Sequence, residues 1–255
     1  GPAVHVGAGQ PVLRAQHLSK SYHSPVLRDL DVGIEPGQFV AIMGPSGSGK
    51  STLLHCLSGM DRPSAGSVLL GDTEITTMSE KELAALRLTR FGFVFQQAHL
   101  MTTLCLLDNI VLPGFLAGLR PRPEITARGE ELMESMGIAD LAASGVTEVS
   151  GGQLQRAGIC RALINDPGIV FADEPTGALN STTALQILDL LGQVHASGTT
   201  LVMVTHDAQV AARADRVLVL VDGRIEEDLA LGRYREAEAP SRLTTVTEAL
   251  QRRSV

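Results

Sequence analysis

No run of about 18 apolar residues occurs in this 255-residue chain, so no segment is expected to span a bilayer. No basic block occurs either. Lys and Arg total 21 against 28 Asp and Glu, for a formal net charge of -7. That balance argues against a general nucleic-acid binder, and no nucleic-acid partner is expected. Cysteine is scarce and scattered. Cys56, Cys105 and Cys160 are odd in number and form no C-x-x-C pair. A disulfide framework or zinc site is therefore not expected, and reduced thiols of a cytosolic protein are. The N-terminus lacks a basic region followed by an apolar one, so no signal peptide is expected. Residues 1–10 are small and patternless, with Gly1-Pro2 reading as the remnant of a cleavage site. A disordered segment is expected there. No internal repeat is visible, which implies one functional unit per chain. What the chain does have is apolar residues, 44% of the total, enough to bury a sizeable core.

One stretch organises the rest. Gly44-Pro45-Ser46-Gly47-Ser48-Gly49-Lys50-Ser51-Thr52 fits the phosphate-loop pattern G-x-x-x-x-G-K-[ST] without a mismatch. An apolar strand-like run, Phe39 to Met43, leads in, and a helix-like run, Leu53 to Leu57, leads out. Glycines let the backbone wrap phosphate oxygens in conformations that a Cβ would resist. Successive N–H groups and the helix start then face the anion. Lys50 adds a mobile cation for the β and γ phosphates. The Ser51 hydroxyl is placed to ligate Mg²⁺, a hard ion that prefers oxygen.

Strands are expected at Val12 to Ala15 and Val26 to Ile34, and a hairpin at Val68 to Ile75. Ser79 to Glu82 is a capping box opening a helix, and Phe91 to Phe95 is a strand ending at Gln96. From Ala98 the texture turns helical, with breaks expected at Pro113-Gly114 and Arg120 to Pro123. The apolar run Leu104 to Leu112 is expected in the core. Glu124 to Met136 reads as an amphipathic helix, and another opens after Gly151. Ser181 to Val194 is helical, with Leu185, Leu188 and Leu191 on one apolar face. Strands are expected at Ile169 to Ala172 and Thr200 to Thr205, and a hairpin around Asp222-Gly223. Strands alternating with helices give an α/β fold with a mainly parallel sheet. The expected organisation is one domain over 11–235, with a helical subdomain over about 98–158. A polar tail over 236–255, at most a loose helix, follows.

Two further elements carry chemistry. Ile169 to Pro175 is an apolar strand ending in Asp173 and Glu174. The first carboxylate suits Mg²⁺ held through its waters, and the second suits orienting or deprotonating an attacking water. Ser150-Gly151-Gly152-Gln153 opens a helix and offers a second anion site, unless it is simply a capped helix start.

Taken together, Gly44 to Thr52, Ser150 to Gln153, Asp173-Glu174 and His206 resemble the ATP-binding-cassette ATPases. The resemblance runs from about Val12 to Glu227. It implies a P-loop core with an antiparallel β subdomain and an inserted helical subdomain, and it implies ATP and Mg²⁺ as ligands. It makes Tyr22 the aromatic that stacks on adenine. Gln96 becomes the hinge glutamine that touches Mg²⁺ and the water, and His206 the switch histidine at the γ-phosphate. More narrowly, Gly92 to Gln97 and Glu174 to Leu179 resemble the branch of macrolide exporters, lipoprotein-release ATPases and antibiotic-peptide exporters. That branch implies a head-to-tail dimer of two copies, closed on ATP between one phosphate loop and the partner's Ser150 to Gln153. It also implies a membrane permease as partner and a place on the inner face of the cell membrane. An ATPase that transmits force to an envelope protein without transport stays open at this point. A family member acting on DNA or ribosomes would need arms or zinc fingers that are not visible. A small-molecule kinase would not need Ser150 to Gln153. Two positions depart from the family pattern: Val149 stands where Leu is usual, and Asn180 where Asp is usual.

Overall fold

The computed structural model describes residues 11–255, and the disordered segment expected over 1–10 lies outside the described residues. In chain order the elements are β1 (Leu13–Ser21), β2 (Pro25–Ile34), β3 (Phe39–Met43), α1 (Lys50–Leu57), β4 (Ala65–Leu70), β5 (Thr73–Glu74) and α2 (Glu80–Thr89). Then come β6 (Phe91–Phe95), α3 (Leu106–Ala117), α4 (Arg122–Ser135), α5 (Gly151–Leu163), β7 (Ile169–Asp173) and α6 (Ser181–Ala196). The chain closes with β8 (Thr200–Val204), α7 (Ala208–Ala211), β9 (Arg216–Val221), β10 (Arg224–Ala230) and α8 (Ala239–Arg252). Among the described residues no helix is long and apolar enough to cross a membrane. The chain divides into two compact units. One runs to Leu83 and resumes at Thr200–Val255, and the other is Ala84–Thr199.

The first unit holds an antiparallel sheet in the order β2-β1-β4-β5 and a run of strands in the order β10-β9-β3-β8. β3 lies parallel to both neighbours, with Phe39 opposite Leu201 and Val40 opposite Arg216. Every residue of β3 and β8 is buried. That explains their unbroken apolar sequences: strands covered on both faces have no polar side to show. The β9–β10 hairpin turns at Asp222 and Gly223, whose φ angles of 49° and 76° suit a primed turn matching the strand twist.

α8 is more than a loose tail. Arg242, Val246 and Ala249 form its buried stripe, spaced four and three residues apart. The Arg242 guanidinium donates to five backbone carbonyls, those of Ala212, Ala214, Leu231, Gly232 and Arg233. The helix is thereby tied to the segment joining α7 to β9 and to the stretch that follows β10.

In the second unit β6 and β7 pair in parallel, from Phe91 opposite Ile169 to Phe95 opposite Asp173. Four of the chain's six phenylalanines sit on this pair. Phe91 meets Phe171 edge-on at 5.0 Å, and Phe93 stacks on Phe171 at 5.7 Å and on Phe95 at 6.1 Å. Such ring pairs contribute about 0.5–1.5 kcal/mol beyond their buried area. The few aromatics thus stiffen the strand ends that carry Gln96 and Glu174.

α3 does not break at Pro113-Gly114, as its sequence suggests, but continues to Ala117. Proline removes one amide donor from the helix without breaking it, and contacts from outside the helix hold this turn. Asn165 donates to the Pro113 carbonyl at 3.1 Å. Gly114 lets α4 approach so closely that an added Cβ would come within 2.5 Å of Ile125. Leu106, Ile110 and Val111 are fully buried, so the apolar run of α3 is core. Asn109 is buried beside them and fastens the loop before α3 through Met101, Leu104 and Cys105. On α6 the apolar face is Ile187, Leu188, Leu191 and Val194, whereas Leu185 is exposed. A run of leucines three apart drifts around a helix of 3.6 residues per turn, so one of them leaves the face.

Candidate functional site

The phosphate loop joins β3 to α1. Gly49 caps α1 with φ 99°, and no side chain caps that helix start. A residue with a Cβ resists that angle, which is why glycine stands there. The loop carries a tight turn in which the Ser48 amide donates to the Pro45 carbonyl at 3.1 Å. The Lys50 ammonium folds back over the loop and donates to the carbonyls of Gly44 at 2.6 Å and Pro45 at 3.1 Å. The Ser48 hydroxyl is buried and has no hydrogen-bond partner within the protein. A buried orphan hydroxyl costs about 1–3 kcal/mol, and an anion seated in the loop would relieve it. Backbone curl, lysine and orphan hydroxyl fit a polyphosphate.

The loop is braced from behind. The Gly223 amide donates to the Ser48 carbonyl at 3.1 Å, and its own carbonyl accepts from the Arg28 amide at 2.9 Å. An added Cβ at Gly223 would come within 2.2 Å of the Val26 carbonyl oxygen. Sequence reading makes Gly223 a turn residue and nothing more, because its loop contact is 175 positions away from Ser48.

His206 follows β8, the direct neighbour of β3. The Thr205 amide donates to the Ile42 carbonyl at 3.1 Å, so the two strand ends stay in register up to the loop. Asp207 then caps α7 through the Gln209 amide. Tyr22 follows β1 and is 58% exposed, with a ring open to a flat ligand. Its hydroxyl donates to Asp61, and Lys20 lies 4.9 Å from its ring centroid. Lys20 also pairs with Asp61 at 3.1 Å. Burial alone would raise the Asp61 pKa, but the bonds from Tyr22 and Lys20 outweigh it and hold the carboxylate below its usual range. The Asp61 bond pushes the Tyr22 phenol up. Asp61 and Lys20 are thus missing from the sequence reading, which contains no signal linking them to Tyr22.

In the second unit, parallel pairing of β6 with β7 brings Gln96 beside the acids. Phe95 faces Asp173, so Gln96 and Glu174 leave adjacent strands at the same end. Glu174 has φ 49°, in the left-handed region that few non-glycine residues enter. The Pro after it makes this rarer still, because a residue before Pro favours extended backbone. Strain of this kind costs about 1–3 kcal/mol and collects at functional sites. A turn holds it in place, with the Gly177 amide donating to the Glu174 carbonyl at 3.0 Å.

Ser150 and Gln153 form a full capping box at the start of α5. The Gln153 amide donates to the Ser150 hydroxyl at 3.2 Å, and the Gln153 side chain accepts from the Ser150 amide at 2.9 Å. The helix start is therefore capped, not bare, and an anion there would compete with the Gln153 amide's bond to Ser150. Gly151 leads the helix beside Leu179, and Gly152 lies against Thr183 of α6, where a Cβ would clash at 2.5 Å. Asn180 caps α6 by accepting from the Thr183 amide at 2.9 Å. The three cysteines are free thiols, and burial pushes Cys56 and Cys160 up to about 12, well away from reactivity.

A phosphate loop on a parallel strand, with paired acids at another strand end and a glycine-led capped helix, defines a P-loop nucleoside triphosphatase. A family model described as "ABC transporter" matches residues 27–177, and the chain belongs to that family as one of its ATPase domains. Among curated relatives, the macrolide export ATP-binding/permease protein MacB 1/2 of Paracoccus denitrificans is 44% identical over 88% of this chain and 34% of its own length. MacB of Rhodopseudomonas palustris (strain BisB18) is 46% identical over 86% of this chain and 33% of its own. The chain thus spans about a third of the curated relatives it matches. Among solved structures, a dimeric post-hydrolysis state of the ATP-binding cassette MJ0796, bound to ADP and Pi, is 35% identical with a TM-score of 0.80. It covers 87% of this chain and 100% of that one.

Proposed function

We propose that this ATPase domain dimerises on ATP and powers export through a membrane permease. The observation that carries this reading is the convergence of Gln96 with Asp173 and Glu174 at one end of the β6–β7 pair. The dimeric state of the MJ0796 cassette and the permease fused in the MacB relatives support it. On this reading the domain works on the inner face of the cell membrane. Two copies close head to tail. The phosphate loop of one, Gly44 to Thr52, holds the phosphates, and the partner copy presents its Ser150 to Gln153 element to the same nucleotide. Lys50 swings from the Gly44 and Pro45 carbonyls to the β and γ phosphates. Tyr22 stacks on the adenine. Glu174 takes the proton of the attacking water, and His206 holds the γ-phosphate. Ser51, Gln96 and Asp173 are hard oxygen donors of the kind Mg²⁺ takes, and would hold that ion. When bound, it neutralises charge developing on the phosphates. The permease contact is assigned to an apolar groove of about 280 Å³ whose lining includes Phe91, Phe93, Phe95, His99, Pro113 and Arg161.

The test is size-exclusion chromatography of the chain with ATP and with ADP. A dimer with ATP and a monomer with ADP is expected. A monomer under both conditions would sink the proposed cycle.

Two predictions attach to single residues. Tyr22→Ala weakens ATP binding by about 1–3 kcal/mol, the range for stacking of a base on an aromatic ring. Tyr22→Phe keeps the ring and gives up the Asp61 bond, so its loss stays below about 1.5 kcal/mol. Calorimetry checks both, and an Ala variant that binds like wild type makes Tyr22 structural. Asn180→Asp raises turnover several-fold. Asp caps α6 as well as Asn does, so the Thr183 bond survives. What changes is the other side-chain atom, from a donor to a charged acceptor. A charge-assisted bond across the dimer gains about 1 kcal/mol over a neutral one, a rate factor of roughly 5. Steady-state hydrolysis of the two proteins decides it, and equal turnover within twofold rejects the idea.

A further inference from the structure

We infer that Gln155 is a positioning residue that ties the Ser150–Gln153 helix to Gln96 and Glu174 of the same chain. The inference rests on the ATPase cycle proposed above. Gln155 lies in α5, two residues beyond the capping box, and is 3% exposed. Its side-chain nitrogen donates to the Phe95 carbonyl at 2.7 Å and to the Pro175 carbonyl at 2.7 Å. Phe95 immediately precedes Gln96, and Pro175 immediately follows Glu174. One amide thus holds the backbone on both segments that carry the reactive groups.

No other side chain meets this demand. Two carbonyls need two donors from one uncharged buried atom, which only Asn and Gln supply. Asn is one methylene shorter. Glu would turn acceptors toward acceptors, and Lys would bury a charge. The same demand fixes which way the amide points, since its oxygen cannot face either carbonyl.

The rest of α5 reinforces the tie. Gly158 follows three residues later on the same face, where an added Cβ would lie 3.2 Å from the Ala98 Cβ. Arg161 follows three residues after that and donates to the Ala98 and His99 carbonyls. Residues 95–99 are therefore carried along one side of α5. Movement of the helix start, when it meets the partner's nucleotide, shifts Gln96 and Glu174 of its own chain. Gln155 makes each copy's grip on one nucleotide a condition for hydrolysis of the other.

The experiment measures ATP hydrolysis, nucleotide affinity and melting temperature for the full chain and two variants. Gln155→Leu removes both donors at similar volume. It is expected to lower kcat at least tenfold, leave KM within about threefold, and bring the Hill coefficient for ATP towards 1. Gln155→Glu is the second variant. A buried carboxyl is protonated more readily than an exposed one, and the protonated form regains one donor. Its kcat relative to wild type is expected to rise as pH falls from 8 to 6. A merely structural role predicts a lower melting temperature with normal kcat per folded molecule and no pH-dependent rescue. Gln155→Leu hydrolysing within twofold of wild type, Gln155→Glu doing so already at pH 8, or a loss that follows the folded fraction, overturns the inference. If wild type itself shows no cooperativity and no ATP dimer, the cycle fails and the coupling fails with it. If wild type shows both and Gln155→Leu matches it, only the role of Gln155 falls.

Discussion

On the proposed cycle, Glu174→Gln is expected to slow ATP turnover by roughly 10²–10⁴-fold, the contribution of a general base, and to leave ATP affinity near that of wild type. Gln matches Glu in size and keeps one acceptor oxygen, but it takes up no proton at neutral pH. The backbone sets the two side chains equal in another respect. Position 174 is held at φ 49° by the turn to Gly177, and Gln bears that angle no better and no worse than Glu. The variant therefore isolates the charge from the strain. Binding is expected to survive because the residues proposed to hold the nucleotide, Lys50, Ser48 and Tyr22, are untouched. With the chemical step blocked, ATP-bound dimers accumulate and give a stable peak in size-exclusion chromatography. Turnover within threefold of wild type would show that another group takes the proton.

The second large effect is on stability. Arg242→Leu is expected to destabilise the first unit by about 3–5 kcal/mol, since it strands several buried carbonyls at about 1–3 kcal/mol each while removing the desolvation cost of the charge. The guanidinium is 4% exposed and uses all five N–H donors on backbone carbonyls. Burial lowers its pKa, and Glu238 and Asp215 oppose that shift. Leucine removes the desolvation penalty of the charge but strands the carbonyls of Ala212, Ala214 and Leu231 to Arg233. A chain of this size loses about 2–4 °C of melting temperature per kcal/mol, so a fall of roughly 6–20 °C is expected. Arg242→Lys keeps the charge with three donors and should fall part of the way. Limited proteolysis should cut first near α8 in both. A melting temperature within about 2 °C of wild type for Arg242→Leu would mean that the helix holds without this side chain.

Arg242 also marks where sequence reading stops. The tail from about Arg235 reads as polar because a buried position holds the most polar of side chains. Val246 and Ala249 alone are too short a stripe to announce a packed helix. The phosphate loop is legible for the opposite reason: its nine residues act locally, and their order is the geometry. The strand–helix alternation, the Ser79 and Ser150 caps and the Asp222-Gly223 hairpin are local in the same sense. Pro113 misleads because its penalty is local while the Asn165 and Ile125 contacts that offset it are distant. Leu185 misleads because leucine spacing fits a face that the helix period does not maintain. Gln155 sits inside a motif read from the sequence, yet its two partners lie 60 and 20 positions away. The φ of Glu174 has no sequence signal at all.

The pairing of Phe39 with Leu201 has a consequence for synthesis. β3 carries the phosphate loop, and both of its partners, β8 and β9, are made some 160 residues later. At about 5–20 residues per second, that delay lasts on the order of 8–30 s. Through it an all-apolar strand waits with both edges unpaired, the kind of segment that seeks other chains. The second unit, continuous from Ala84 to Thr199, is complete before those partners emerge. Slow synonymous codons between Met43 and Thr200 lengthen that wait and should therefore raise aggregation of nascent chains, while the same codons before Phe39 leave the wait unchanged and should leave yield less affected.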